Sequence, residues 1–155
     1  MADGKKHTKR AANIIISCQD RFLVLWRRKW EADGTPLILP GGEINDNENQ
    51  WEAAVREVKE ETGIVLSEEQ IIDFLPPFET KWTKAMYTFF VELEDFPDII
   101  LEKNKFFGYL WIPAKDNIIM SDLVWLMMPG VKSILEEIII KIKSGGFLEG
   151  KNNER

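Results

Sequence analysis

Cysteine and histidine are almost missing from this chain, which has one of each in 155 residues. A lone Cys18 excludes an internal disulfide and any cysteine-based zinc cluster. His7 stands in a basic N-terminal stretch, so histidine cannot be assumed as general base or metal ligand. Acid, base or metal chemistry therefore falls mainly to carboxylates, lysines and the two tyrosines. Positive charge is also short: 20 Lys and Arg face 26 Asp and Glu, a net charge of -6. That balance disfavours a protein that wraps a polyanion by counterion release, and the basic residues that do cluster are Lys5, Lys6, Lys9 and Arg10. The apolar run behind them, Ile14-Ile15-Ile16, is interrupted by Ser17, Cys18, Gln19 and Asp20 before a signal-peptide core can form. The expectation is a cytoplasmic protein with no membrane partner.

What is present is the composition of a soluble globular domain, 45% hydrophobic and 30% charged. The length suits a single domain that closes its core without disulfides, expected over residues 12–148 behind a basic flexible tail, residues 1–11. Two β-branched-rich runs, 12–17 and 22–27, flank Cys18-Gln19-Asp20-Arg21 and read as a hairpin. Leu37-Ile38-Leu39 reads as a third strand stopped by Pro40-Gly41-Gly42. Asn49 with Glu52 three residues on forms a capping box, and Gly63 supplies a stop, which predicts a helix over residues 50–62. Ile71–Phe74 and Met86–Glu92 read as strands, with Pro76-Pro77 expected to forbid a continuous ladder between them. Tyr109–Ile112 is a further strand, and Val131–Ile142 an amphipathic closing helix. The fold class expected is α/β, a mixed sheet sandwiched between helices.

On the central helix, Trp51, Ala54, Val55 and Val58 share a stripe and are expected to be buried. Glu57, Glu60 and Glu61, at i, i+3 and i+4, are expected to converge on a neighbouring stripe away from that core face. Three like charges so placed repel one another and raise one another's pKa values. Either Arg56 and Lys59 partly relieve a solvated acidic face, or a hard divalent cation sits among the oxygens and keeps waters that can serve as nucleophile.

The wider stretch "LPGGEINDNENQWEAAVREVKEETGI" bears on that choice. Gly42, five residues, Glu48, seven residues, then Arg56-Glu57-Val58-Lys59-Glu60-Glu61-Thr62-Gly63-Ile64 resembles the Nudix box, Gx5Ex7REUxEExGU, at every fixed position. Background residue frequencies give such a match by accident roughly once in ten million chains of this length. The flanking strands and helices are similar to the Nudix α/β/α sandwich.

The resemblance implies a Mg²⁺-dependent hydrolase, with Mn²⁺ as a substitute, that cuts a nucleoside diphosphate linked to a further group X. It implies that Glu57, Glu60 and Glu61 hold metal or activate water, and that the Gly41 carbonyl adds a ligand. Arg56 would orient Glu57, and Glu48 would either pair with Arg56 or join the metal shell. A glutamate, with Glu57 the first candidate, takes the proton from water. Some relatives place a further acidic ligand or base downstream of the box, and Glu102 is preferred here over Glu92 and Glu94.

For substrate contacts, the family likeness points to a basic residue at the end of the second strand, Arg28 before Arg27, and to Gly42 beside the box. Six tryptophans supply flat surfaces for a base or for the core. Trp82, Tyr87, Asp122 and Trp125 are the base-binding candidates, the last two because "LWIPAKDNIIMSDLVW" is similar in layout to Nudix enzymes that clear oxidised purine nucleotides. The substrate expected first is a (deoxy)nucleoside triphosphate, cut to monophosphate and pyrophosphate. A dinucleoside polyphosphate, a diphosphoinositol phosphate or a capped RNA 5′ end is the alternative, and a non-catalytic nucleotide-binding module another. Nucleic acid is otherwise not expected as a partner, and a homodimer would be ordinary for the family.

Overall fold

The computed structural model describes residues 9–29, 37–79 and 83–113. The hairpin forms where the sequence placed it, between β1 (Arg10–Cys18) and β2 (Arg21–Arg27). Gln19 and Asp20 both take positive φ, 51° and 64°, the two-residue turn whose twist matches that of the strands it joins. The two strands pair only beside this turn, at Ser17–Phe22 and Cys18–Arg21, and then part. β2 continues antiparallel to β7 (Phe106–Pro113) and meets β3 (Leu37–Ile38) at Leu25 and Trp26. β1 runs parallel to β6 (Ala85–Leu93) along its whole length and antiparallel to the short β4 (Gly41–Glu43). β6 in turn carries β5 (Ile71–Phe78) on its outer side. Among the described residues the result is one open, mixed sheet of seven strands.

Three local expectations are corrected. Pro40-Gly41-Gly42 does more than end β3, because the glycines themselves form β4 against Ala12 and Asn13. The approach is so close that a Cβ on Gly41 would stand 2.3 Å from the Ala12 carbonyl oxygen, so a side chain there is sterically excluded. Pro76-Pro77 does not interrupt β5 either. The pair falls in the register irregularity between Leu75 and Phe78 on an outer strand, where a missing N–H costs no central ladder bond. At the N-terminus, Arg10 and Ala11 belong to the sheet: the Arg10 carbonyl accepts the Ile44 N–H at 2.9 Å, and Lys9 pairs with Glu43 at 2.9 Å.

The helix α1 spans Gln50–Thr62, with the Asn49–Glu52 capping box formed in both directions and Gly63 in the left-handed region at φ 75°. Its buried face is turned from the expected stripe. Ala53, Ala54, Val58, Glu61 and Thr62 are buried, while Trp51 and Val55 are half-buried at the margin. The small alanines let the helix lie close against Ala12, Ile14 and Ile16 of β1 and Leu23 and Leu25 of β2, which draws the Glu61 side inward. β1 is buried at every position from Ala11 to Cys18, so both faces of the central strand are covered. The expected helix over Val131–Ile142 lies outside the described residues. Among the described residues no helix is long and apolar enough to cross a membrane.

Candidate active site

β4 lies against the C-terminal half of α1, and the box residues line that seam. Arg56 is its organising cation. Its Nε and Nη2 donate to the two oxygens of Glu48 at 2.9 and 2.7 Å, a bidentate fork. Nη2 also donates to the Glu43 carbonyl at 3.0 Å, and Nη1 donates to Glu57 Oε1 at 2.9 Å. The hydrogen bonds from Arg56 hold Glu48 below the usual carboxylate range, and Glu48 in return raises the already high pKa of Arg56. Glu48 is paired with Arg56.

Glu57 fills the space that a side chain on Gly42 would need: a Cβ there would stand 2.4 Å from Glu57 Cδ. Burial pushes its pKa up, and the bond from Arg56 opposes that without cancelling it. Glu61 is only 4% exposed, contrary to the expectation of a carboxylate clear of the core. Its Oε1 accepts the Gly41 N–H at 2.8 Å, so Gly41 engages it through the N–H. Burial pushes Glu61 up to about 8, the Gly41 N–H works against this, and the charges of Glu57 and Glu102 add to it. Glu60 is half-exposed and touches Arg56 Nη1 at 3.5 Å.

Glu102 reaches the site from far along the chain. Its N–H donates to the Glu61 carbonyl at 3.0 Å and the Ile100 N–H donates to that of Thr62 at 2.9 Å, which laces this segment to the end of α1. Glu102 Oε1 is shut off from solvent with no hydrogen bond, and Lys105 Nζ stands 3.4 Å away as its ion-pair partner. Sequence reasoning missed Lys105. Its only signal was the opposite charge three residues after Glu102.

Glu57, Glu61 and Glu102 are thus electrostatic neighbours beside Gly41 and Gly42, but no closed shell is formed: among the described residues no group of three His, Cys, Asp or Glu side chains is gathered as a metal cage. Each carboxylate has instead turned to a separate partner: Glu57 to Arg56, Glu61 to the Gly41 N–H and Glu102 to the Lys105 ammonium.

Of the substrate-contact candidates, Gly42 lies in β4 against Glu57, and Arg27 ends β2 with its Nε shut off from solvent. Arg28 is not turned to the carboxylates. Its Nε donates to the Lys103 carbonyl at 2.5 Å and its guanidinium lies 4.3 Å from the centre of the Phe107 ring, so it braces the segment that carries Glu102. Tyr87 is half-buried and packs against the core cluster under α1. Trp82, Asp122 and Trp125 lie outside the described residues. A hollow of about 640 Å³ beside the Arg56–Glu48 fork is lined by residues from Glu43 to Glu48, and its carboxylates suit it poorly to phosphate.

The NUDIX domain family model matches residues 6–129 of this chain. The chain belongs to the Nudix family. Nudix hydrolases are pyrophosphohydrolases that act on phosphorus anhydrides. Nudix hydrolase 5 of Arabidopsis thaliana is 32% identical over 82 residues, which is 52% of this chain and 27% of that protein. The chain therefore spans little more than a quarter of that curated relative's length. Among solved structures, an Ap4A hydrolase from C. elegans superposes with a TM-score of 0.65 at 20% identity, covering 88% of this chain and 99% of that one. A bifunctional NMN adenylyltransferase/ADP ribose pyrophosphatase from Francisella tularensis gives 0.66 at 21% identity, covering 86% of this chain and 42% of its own. At these identities the likeness to the two structures is one of fold.

Proposed function

We propose that this Nudix chain is a Mg²⁺-dependent pyrophosphohydrolase of nucleoside diphosphates linked to a group X, with a (deoxy)nucleoside triphosphate as the first substrate to test. The observation that carries the reading is the seam itself: Arg56 forked onto Glu48 and holding Glu57, with Glu61 buried against the Gly41 N–H. The donor set fits a hard divalent ion. Every candidate ligand is an oxygen, the carboxyls of Glu57 and Glu61 are pushed up by burial, and Glu102 Oε1 is buried without a hydrogen bond. Mg²⁺ would be held by Glu57, Glu61 and Glu102, with Glu60 at the exposed margin and the Gly41 carbonyl as a backbone ligand, and Mn²⁺ could replace it. When bound, such an ion neutralises charge on the diphosphate and lowers the pKa of water.

The remaining work falls to the chain. Arg56 fixes the Glu57 carboxyl through Oε1, which leaves Oε2 either to hold the metal or to take the proton from an attacking water. Glu57 is the better base than Glu61 on access, because its side chain is 14% exposed whereas Glu61 is buried. The water oxygen bonds to phosphorus, the bridging P–O bond breaks, and the leaving phosphate carries away the electron pair. Gly42 keeps room for Glu57 in this geometry.

A phosphate-release screen over nucleoside triphosphates, oxidised nucleotides, dinucleoside polyphosphates, ADP-ribose and capped RNA tests the reading, with Ca²⁺ replacing Mg²⁺ as control. Mg²⁺-dependent turnover of at least one nucleotide is expected. Binding without turnover across the panel would leave a nucleotide-binding module instead.

A further inference from the structure

We propose that Lys105 binds a substrate phosphate at the carboxylate seam, exchanging its ion pair with Glu102 for a phosphate oxygen when metal and substrate arrive. The inference rests on the pyrophosphohydrolase reading above. A diphosphate brings several negative charges to a site already lined by Glu57, Glu61 and Glu102, and a fixed cation facing that site lowers the cost of binding it. The nearby arginines are committed elsewhere. Arg56 is occupied by Glu48, Glu57 and the Glu43 carbonyl, and Arg28 by the Lys103 carbonyl and the Phe107 ring.

Lys105 differs from both. Its side chain is 54% exposed, and its contact with the buried Glu102 Oε1, at 3.4 Å, is longer than a well-formed charge-assisted hydrogen bond. Its backbone is rooted: the N–H donates to the Glu102 carbonyl at 3.0 Å, and its own carbonyl accepts the Arg28 N–H at 2.8 Å. The backbone is fixed and the side chain can turn. Its ammonium stands beside Glu102, on the segment bonded to the end of α1. An ammonium on a flexible stem serves a phosphate as a point charge, a role the saturated Arg56 fork cannot take.

The test compares wild type with Lys105→Met, Lys105→Arg and, as a charge control on the same segment, Lys103→Met, all in the full chain. Calorimetric titration with inorganic pyrophosphate in Mg²⁺ is run beside steady-state kinetics on whichever nucleotide turns over, and Mn²⁺ affinity is measured separately. Lys105→Met is expected to weaken pyrophosphate binding and raise KM by tenfold or more, with Mn²⁺ affinity not reduced, Lys105→Arg restoring most of the loss and Lys103→Met within twofold of wild type. Pyrophosphate affinity and KM within twofold in Lys105→Met, an equal loss in Lys103→Met, or weakened Mn²⁺ binding would overturn it. Lys105→Gln replaces the methionine variant should that not fold. If wild type turns over nothing, the hydrolase reading fails on its own, while the pyrophosphate titration still decides Lys105.

Discussion

Glu61 concentrates the chemistry of the site because it is an acidic group with almost no contact with water. Its pKa in the folded, metal-free protein is pushed to about 8 from an ordinary 4.5, so the proton is held more tightly folded than unfolded. The stability this gives is fully present below the unfolded value and is lost as pH rises through the folded one. With metal removed by chelation, the melting temperature is expected to fall from about pH 5 to beyond pH 8, and Glu61→Gln should flatten that slope in scanning calorimetry. A wild-type profile flat over that range would contradict the burial argument. In turnover, Glu57→Gln and Glu61→Gln should each lower kcat by about 10²–10⁴-fold while the helix signal in circular dichroism is retained. Gly42→Ala tests the seam sterically: the added methyl would collide with the Glu57 carboxyl, so kcat should fall by tenfold or more with only a small change in melting temperature.

Elements divide by how local their causes are. α1 was legible because its start, its stop and its periodicity all lie within its own residues, and the structure places Gln50–Thr62 where the capping box and Gly63 put it. Asn49→Ala should cost about 1 kcal/mol in denaturant unfolding, the ordinary worth of an N-cap, because both halves of the box are made. β4 and the second half of β5 were not legible. Glycine pairs and proline pairs are punctuation in a local reading, whereas here they are accommodated by a neighbour: Asn13 and Ala12 for the glycines, an outer strand position for the prolines. The helix face was read one position out for the same reason, since the choice between Trp51 and Ala53 as the inward residue depends on how closely β1 lets the helix approach.

At the scale of the whole molecule, one sheet joins segments that are distant in sequence, and the site depends on that joining. The segment holding Glu102 and Lys105 is bonded to Glu61 and Thr62 on one side and to Arg28 on the other, so α1, the end of β2 and the entry to β7 are tied together at the seam. A divalent ion bound there should stabilise the entire domain by mass action, about 2.7 kcal/mol at a concentration one hundred times its Kd. Mg²⁺ or Mn²⁺ is therefore expected to raise the melting temperature of wild type in proportion to the logarithm of its concentration, and to do far less in Glu61→Gln. By itself the sequence determined the box, the helix that bears it, and oxygen as the donor of any metal bound, because spacing along one helix and residue chemistry are local facts. Only the tertiary structure decided that Glu61 is buried, that Glu48 pairs with Arg56, that Arg28 is spent on a loop carbonyl and that Lys105 faces the carboxylates. Those outcomes depend on which distant backbone excludes water from a group or offers it a partner, and no spacing in the chain encodes that exclusion.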